Sequence, residues 1–510
     1  MKQSSRQTIS NLKKKFFIRH RVAICVCICL IQIIKYASRY LFPTAMKLLL
    51  QSRLHNIKNA SNETPECPLP EGDMYIYQDK RGPIPYNWQP ADFNKVAIFS
   101  YYSQIITQPI GGYMSDRYGG KHIVTCSIIV CSLVTLVQPA LVFATNGNLW
   151  VIGIVKGIAA FVEGLDIPAC ISISSHWAPL GERARLVTIA TLGHTIGSTV
   201  HNFVTTVLIV RTNDWTVPFY IYGSLGLVLG VIWLLVAAST PDHSRLITFK
   251  EKFYLARQMR HLVHHDKKTV PVMRILKTLD VWIFIIGMVG HILILNLSLT
   301  EVKQYRQNIF HDQLGRDDIL AALPSIGMTI SAVICACFSD WAFNKELINI
   351  MTLRKTFTNI GVLGCPIYFL AAGFARCDRV VAEILLVLAL ALEGCTMSGI
   401  RLIPLDLSPN YAGFITGISN FIGNLISIIF EIFVTGQTKK RSRAEYRILF
   451  YEMLLGGFVT TLIFAIFGKT YLKSWNVPPE KKRRREMSTI SRGSFVSHGS
   501  RVSRVNEEIR

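Results

Sequence analysis

The apolar residues of this chain are gathered into long blocks instead of being spread evenly along it. A helix of about 20 residues at 1.5 Å per residue crosses the hydrocarbon core of a bilayer, so each long block predicts one membrane-spanning helix. The pattern therefore predicts a polytopic, all-α membrane protein with twelve spans. Their predicted bounds are 22–50, 93–113, 122–144, 148–177, 184–210, 218–239, 280–302, 319–339, 357–375, 379–404, 411–435 and 447–470.

The positive charge of the chain predicts how the twelve spans are oriented in the membrane. The formal net charge is +23, and half of the residues are hydrophobic. The basic residues form three groups: one before the first block, one between the sixth and seventh blocks, and "KKRRR" at 481–485 after the last block. With twelve spans all three groups lie on one side, which the positive-inside rule makes cytoplasmic. Topology and attraction to anionic lipid account for the charge, so no nucleic-acid partner is expected.

The order of the blocks divides the chain into two six-helix bundles. A long polar loop at 51–92, predicted to be exoplasmic, carries two glycosylation sequons, at Asn59 and Asn62. Cys67 and Cys377 both fall on the exoplasmic side, which leaves a disulfide between them open. The predicted segments are a basic cytoplasmic tail at 1–21, bundles at 22–239 and 280–470, a cytoplasmic central loop at 240–279, and a basic, disordered cytoplasmic tail at 471–510.

Two short loops at corresponding places in the halves predict a conformational gate. The first reads "GGYMSDRYGGK" (111–121) and contains Asp116 and Arg117; a degenerate second copy begins at Asp340. An aspartate beside the N-terminus of a neighbouring helix stabilises one conformation by about 0.3–2 kcal/mol. Two bundles that rock around a midplane site are typical of transporters.

The Gly-x-x-x-Asp-Arg-x-Gly pattern at 112–119 resembles the loop signature of the major facilitator superfamily. Longer segments resemble its anion:cation symporter family, which includes vesicular glutamate transporters, sialin and sodium/phosphate cotransporters. These segments are "YNWQPADFNKVAIFSYYSQIITQPIGGY" (86–113), "VEGLDIPACISISSHWAPLGERARL" (162–186), "AALPSIGMTISAVICACFSDW" (321–341) and "LDLSPNYAGFITGISNFIGNL" (405–425). The resemblance implies two six-helix bundles and secondary transport of an organic or inorganic anion.

The resemblance also implies where the substrate binds. Arg39 occupies the place of the family's arginine in span one, Lys156 replaces the family's arginine in span four, and His291 stands where vesicular glutamate transporters have an arginine in span seven. An arginine fits a carboxylate or phosphate with its planar fork. The substrate prediction is therefore Arg39, Lys156, His291 and the polar Asn420. The structural alternative for Arg39 and Lys156 is that their charged ends reach the membrane interface. For His291 and Asn420 it is hydrogen bonding between packed helices.

Two acids in span four predict proton coupling. Glu163 belongs to a Glu-Gly pair that the family keeps, and Asp166 is an added acid on nearly the same face. A charge at the bilayer centre costs at least about 2.5–3.5 kcal/mol, so both are expected to turn into the bundle. Glu163 as a buried structural partner is the alternative. Further added charges are Glu393, Glu431 and Arg401, the last expected to serve topology or a gate at the cytoplasmic end of span ten.

The residues together predict a transporter and no enzyme, because no nucleophile–base pair or metal constellation emerges from the sequence. No cofactor or metal is expected, and the coupling ion is a proton or sodium. The substrate is a small anion, and the membrane is the plasma membrane or a vesicular or lysosomal one. A sodium-coupled phosphate or organic-anion cotransporter stays open, as does a non-transporting receptor or scaffold that keeps the fold.

Overall fold

The computed structural model describes residues 19–54, 67, 86, 88–89, 92–260, 262–263, 269–310, 318–437 and 442–476. The predicted glycosylation sites Asn59 and Asn62 lie outside the described residues, as do most of the two predicted tails.

The first half folds into six helical spans. The first span consists of two helices that meet at Tyr40, and a π-helical turn at His201–Thr205 interrupts the fifth. The helices are α1 (His20–Arg39), α2 (Leu41–Leu54), α3 (Asp92–Tyr118), α4 (Lys121–Ala144), α5 (Leu149–Trp177), α6 (Arg183–Val200), α7 (Thr206–Thr212) and α8 (Val217–Val236).

The central segment contains two short helices, α9 (Phe249–Met259) and α10 (Val272–Leu276), and six further spans follow it. Span ten is irregular: after α14 it continues as 3₁₀ turns at Gly394–Ser398 and Ile400–Leu402. The helices of the second half are α11 (Leu279–Ile309), α12 (Asp318–Asn344), α13 (Ile350–Gly373), α14 (Arg379–Glu393), α15 (Ile403–Leu407), α16 (Ala412–Gln437) and α17 (Arg443–Phe467).

The helical spans match the twelve predicted blocks one to one. Within the described part of the chain, nine helical segments are long and apolar enough to cross a membrane by length and composition alone. The remaining spans, formed by α3, α5 and α6–α7, are more polar; α5 carries Lys156, Glu163 and Asp166.

The distribution of side chains suits a bilayer. Large apolar residues such as Leu235 and Ile429 point outward, with 75% and 62% of their surface exposed. Charged residues such as Lys35, Asp166 and Glu393 are buried. Lipid solvates the apolar exterior, whereas each buried charge requires a partner inside the bundle.

Candidate functional site

Arg39 and Glu163 form an ion pair between the first and fourth spans. Arg39 is the last residue of α1, and its Nη2 lies 2.9 Å from Oε1 of Glu163 in the middle of α5. The guanidinium also lies 4.6 Å from the centre of the Tyr36 ring. The arginine side chain keeps 25% of its exposure and the glutamate side chain 9%. The predicted substrate cation and the predicted proton carrier are therefore in direct contact, at the edge of an accessible space.

Lys156 reaches the same end of α1. Its Nζ donates a hydrogen bond to the backbone carbonyl oxygen of Arg39, over 3.1 Å, and lies 5.7 Å from the centre of the Phe42 ring. Lys156 and Glu163 are two helical turns apart and thus share a face of α5, which explains why both contact Arg39. Gly164 allows α5 to pack closely against α3, because a Cβ there would collide with the backbone of Gln104.

Asp166 has a different partner, Lys35, which was not predicted from the sequence. Its Oδ2 lies 2.7 Å from Nζ of Lys35 and accepts a hydrogen bond from Nε2 of Gln32, over 2.6 Å. The Lys35 Nζ also donates to Oγ of Ser127, over 2.7 Å, and neither charged side chain keeps more than 1% of its exposure. Lys35 lies one helical turn before Arg39 in "IIKYASR", and a lysine inside an apolar block was the available signal. The two acids of α5 thus belong to separate ion pairs.

The second half contains a matching cluster around His291. Its Nδ1 lies 2.7 Å from Oε1 of Glu393, and both side chains are fully buried. Nε of Arg401 donates a hydrogen bond to Nε2 of His291, over 2.9 Å. Arg401 was expected to serve topology or a gate, yet the structure places it against His291. The prediction used only the position of Arg401 near the end of span ten, whereas the contact with His291 depends on how spans seven and ten pack against each other.

The two clusters occupy equivalent positions in the two halves. Glu393-Gly394 in span ten repeats Glu163-Gly164 in span four, and a proline follows each pair after the same number of residues, at Pro409 and Pro179. His291 of span seven contacts Glu393 as Arg39 of span one contacts Glu163. Each half therefore contains a basic side chain in contact with a glutamate, at corresponding positions along its spans. In the second half Arg401 joins this contact.

Tyr36 and His194 lie between these clusters. Their ring centres are 5.6 Å apart. Both Arg39 and Arg401 lie within electrostatic range of His194. Nε2 of His194 is buried and has no hydrogen-bond partner among the described residues. His194 was not among the residues predicted from the sequence, where its only signal was that of a histidine in a polar span.

Two aspartates join the halves at the end that carries the central segment, called here the inner end and predicted to be cytoplasmic. Asp116 of α3 accepts hydrogen bonds from the backbone N–H groups of Gly413 and Phe414, over 3.2 and 2.7 Å, in the first turn of α16. Asp340 of α12 accepts from the N–H groups of Ala184 and Arg185 in the first turn of α6, both over 3.0 Å. Each half thus caps a helix of the other.

A third aspartate, also missed, strengthens the inner end. Asp406, in the segment "LDLSPNY", lies 2.8 Å from Nη1 of Arg183 in the first half and 2.8 Å from Nε of Arg354 in the second. Arg117, by contrast, is exposed, and its Nη1 donates to the hydroxyl of Tyr113 on the same helix, over 2.9 Å. The ion pairs that cross between the halves here are made by other arginines.

Asn420 lies on α16 and is largely buried. In the described part of the chain its side chain forms no hydrogen bond or ion pair with Arg39, Lys156 or His291. The structure therefore brings Arg39, Lys156 and Glu163 together and leaves the other predicted residues in separate contacts. Among the described residues no cluster of metal-binding side chains occurs.

The opposite end, called the outer end, carries a disulfide. Cys67, in the loop after α2, is bonded to Cys377, between α13 and α14. The pairing left open by the sequence is present, and it links the first half to the second.

The family model "Major Facilitator Superfamily" matches residues 28–431. Human sialin is 26% identical over 442 residues, covering 87% of this chain and 88% of sialin. Human vesicular glutamate transporter 2 is 29% identical over 400 residues, covering 78% of this chain and 68% of the transporter. Mouse sodium-dependent phosphate transport protein 3 is 25% identical and covers 82% and 87%. The predicted resemblance to the anion:cation symporter family is confirmed.

Solved structures agree on the fold. The proton:xylose symporter XylE has a TM-score of 0.60 at 14% identity, covering 88% of this chain and 96% of XylE. A variant of the E. coli fucose:proton symporter FucP has a TM-score of 0.56 at 12% identity, covering 87% and 99%. These likenesses confirm the prediction of two six-helix bundles, and the relatives confirm that the chain is a transporter and no enzyme.

Proposed function

Because the chain belongs to the major facilitator superfamily, we propose that it carries a small organic or inorganic anion across a membrane by alternating access, coupled to protons. The relatives are named for glutamate, for phosphate and as sialin. The observation that carries the proposal is the Arg39–Glu163 ion pair between two spans, beside an accessible space. The predicted membrane is the plasma membrane or a vesicular or lysosomal one, with both chain termini cytoplasmic.

Arg39 is the proposed substrate residue. Its side chain keeps a quarter of its exposure, and a guanidinium can bind a carboxylate or phosphate with two parallel hydrogen bonds. Lys156 holds the backbone of Arg39 and adds a positive charge beside it. A substrate oxyanion that binds Arg39 takes the place now held by the Glu163 carboxylate.

This exchange supplies a route to proton coupling. Once the substrate displaces Glu163, the carboxylate is left buried without its counter-ion. A buried, unpaired charge is costly, and a proton removes that cost by neutralising the group. Substrate and proton are then taken up together. Asp166 was predicted beside Glu163 as a second proton carrier, but its contacts with Lys35 and Gln32 favour a fixed structural pair.

The contacts at the inner end favour a gate there. Asp116 and Asp340 hold the halves together through helix caps, while Arg39 keeps part of its exposure. We infer that this is the outward-facing state, in which the anion enters from the outer end. A change to the inward-facing state requires these caps to break.

Uptake into proteoliposomes tests the proposal. The probes are labelled L-glutamate, inorganic phosphate, and sialic and glucuronic acid, each driven by an imposed pH gradient and, separately, by counterflow. Glu163→Gln should abolish pH-driven accumulation and spare counterflow, whereas Arg39→Gln should abolish both. Glu346→Gln, at an exposed position, is the matched control. Unchanged pH-driven uptake by Glu163→Gln would refute the proton role.

Replacing sodium with a large organic cation in the same assay separates the two coupling ions. Uptake that depends on sodium and ignores pH would favour the sodium-coupled alternative. If the wild-type protein takes up none of the probes, yet they stabilise it against heat, a receptor that keeps the fold would be favoured.

A further inference from the structure

We propose that Arg401, positioned by His291 and Glu393, is the anion-binding residue of the second half, and that the substrate bridges Arg401 and Arg39. This inference rests on the proposed function, since it assumes that an anion binds between the halves. It adds a specificity-determining residue in span ten, where a topology or gate residue was expected from the sequence.

The contacts of Arg401 leave its binding groups available. Among the described residues only its Nε is engaged, as the donor to His291. Its two terminal nitrogens donate to no residue in that part of the chain and are not among the buried unpartnered atoms, so they reach accessible space. A guanidinium binds a carboxylate or phosphate through such nitrogens.

His291 and Glu393 fix the orientation of Arg401. Because Nε2 of His291 accepts the hydrogen bond from Arg401, the neutral imidazole carries its proton on Nδ1, which faces the Glu393 carboxylate at 2.7 Å. The His291 imidazole is thus held between the Arg401 guanidinium and the carboxyl group of Glu393. The His291 and Glu393 side chains are fully buried, so water does not compete with these contacts. His291 and Glu393 are thus positioning residues.

The backbone of span ten is irregular where these residues lie. Gly394–Ser398 and Ile400–Leu402 are 3₁₀ turns between α14 and α15. Discontinuous helices near the midplane mark binding sites in transporters that have repeated halves. The interruption follows Glu393 directly and contains Arg401.

Both guanidinium groups lie within electrostatic range of the same pair of rings, Tyr36 and His194. Arg39 stacks on Tyr36, and Arg401 lies within electrostatic range of Tyr36. His194, in contact with Tyr36, lies within range of both arginines and presents a buried Nε2 without a partner among the described residues. An oxyanion at this place would contact one arginine from each half. The substrate would then hold the halves together in the occluded state.

Transport kinetics with L-glutamate and inorganic phosphate test the inference. Arg401→Gln should raise the KM for the probe that the wild-type protein transports by about tenfold or more, because a charge-assisted contact is lost. Arg401→Lys keeps the positive charge but lacks the planar guanidinium that binds an anion with two nitrogens, so it should have an intermediate KM. Arg211→Gln, at an exposed position near the end of the fifth span, should have the wild-type KM.

A double-mutant cycle separates positioning from packing. Glu393→Gln should raise KM with little loss of maximal rate in the wild-type background, and should have no further effect on KM in the Arg401→Gln background. If Arg401→Gln does not elute as a folded monodisperse protein, Arg401→Lys replaces it in the cycle, and anion-induced thermal stabilisation is measured for both backgrounds.

The outcomes are distinguishable. A wild-type protein that transports a probe, with an unchanged KM in Arg401→Gln and Arg401→Lys, would overturn the inference and leave the proposed function intact. A wild-type protein that transports no probe would overturn the proposed function. Additive effects of the Glu393 and Arg401 substitutions on KM would assign Glu393 to packing and remove the positioning role.

Discussion

At the scale of single residues, the first half contains two ion pairs that differ in exposure: one is partly exposed and the other is buried. The Arg39 side chain keeps a quarter of its exposure beside Glu163, whereas Lys35 and Asp166 are almost completely buried. Exchange of partners requires access for the substrate, so only the first pair can take part in binding. In the second pair the two charges neutralise each other, Gln32 donates to Asp166, and Lys35 donates to Ser127.

Asp166→Asn should therefore destabilise the protein strongly. The substitution leaves the Lys35 ammonium buried without its counter-ion, and breaking a buried pair costs about 3–5 kcal/mol. We expect a clear fall in the melting temperature of the detergent-solubilised protein. Replacing both partners, as in Lys35→Met with Asp166→Leu, should recover most of the loss, because no uncompensated charge remains.

Asp242→Asn is the matched control for this prediction. Its partner Lys252 lies 3.2 Å away, and both side chains keep more than 40% of their exposure. A surface pair contributes at most about 1 kcal/mol. Equal melting temperatures for Asp166→Asn and Asp242→Asn would contradict the structural role of the buried pair.

The sequence predicted residue identities better than partners. It placed Glu163 and Asp166 on nearly the same face of a helix, because that follows from helical period alone. It did not find Lys35 or the place of Arg401, because a contact between spans depends on how each helix is rotated about its axis. Repetition of Glu-Gly at 163 and 393 was visible, yet its meaning needed the facing residues of spans one and seven.

At the scale of elements, the inner end is held by helix caps across the two halves. Asp116 caps α16 and Asp340 caps α6, so the two contacts are related by the duplication of the chain. The helices also approach very closely there: a Cβ on Gly112 would lie 2.8 Å from Cα of Phe414. Glycine is thus required at the crossing of α3 and α16.

Asp116→Ala and Asp340→Ala should each loosen the inner end. Loss of an N-cap costs about 0.5–2 kcal/mol, which shifts a two-state equilibrium by about twofold to roughly thirtyfold. The readout is alkylation of Ser175→Cys by N-ethylmaleimide, followed by peptide mass spectrometry. Ser175 is buried between the halves, where its Oγ donates to the carbonyl oxygen of Pro409.

The cap variants should raise the alkylation rate at position 175, and the double variant should raise it further. Glu346→Ala in the same background is the control, since its side chain is exposed. The native Cys170 thiol, buried within the first half, serves as an internal reference for unfolding. No change at position 175, or an equal rise at Cys170, would argue against a gate.

The apolar pattern located all twelve spans but missed their irregularities. Block length sets the number and bounds of helices because the bilayer fixes the length that a span needs. The break at Tyr40, the π turn at His201–Thr205 and the 3₁₀ turns of span ten leave the hydropathy unchanged. These irregularities depend on packing between spans, and they occur next to Arg39, His201 and Arg401.

At the scale of the whole molecule, the two ends are joined by different chemistry. The inner end uses ion pairs and caps, which break and form again reversibly. At the outer end Cys67 is bonded to Cys377, and Nζ of Lys47 donates to Oε1 of Gln307, over 2.9 Å. A covalent link outside and reversible contacts inside allow rocking while they limit separation of the outer ends. Disulfides persist in oxidising compartments, which agrees with the orientation derived from the positive charges.

Thiol counting tests this arrangement. The chain has twelve cysteines, and ten are free in the structure. Labelling of the denatured protein with a maleimide polymer should add ten labels without reductant and twelve after reduction. Cys67→Ser with Cys377→Ser should give ten labels in both conditions and lower the stability by roughly 2–5 kcal/mol, because the link restricts the unfolded chain. Cys126→Ser, at an exposed thiol, is the control and should lose one label without a change in melting temperature. Twelve labels on the unreduced wild-type protein would show that the ends are joined by reversible contacts alone.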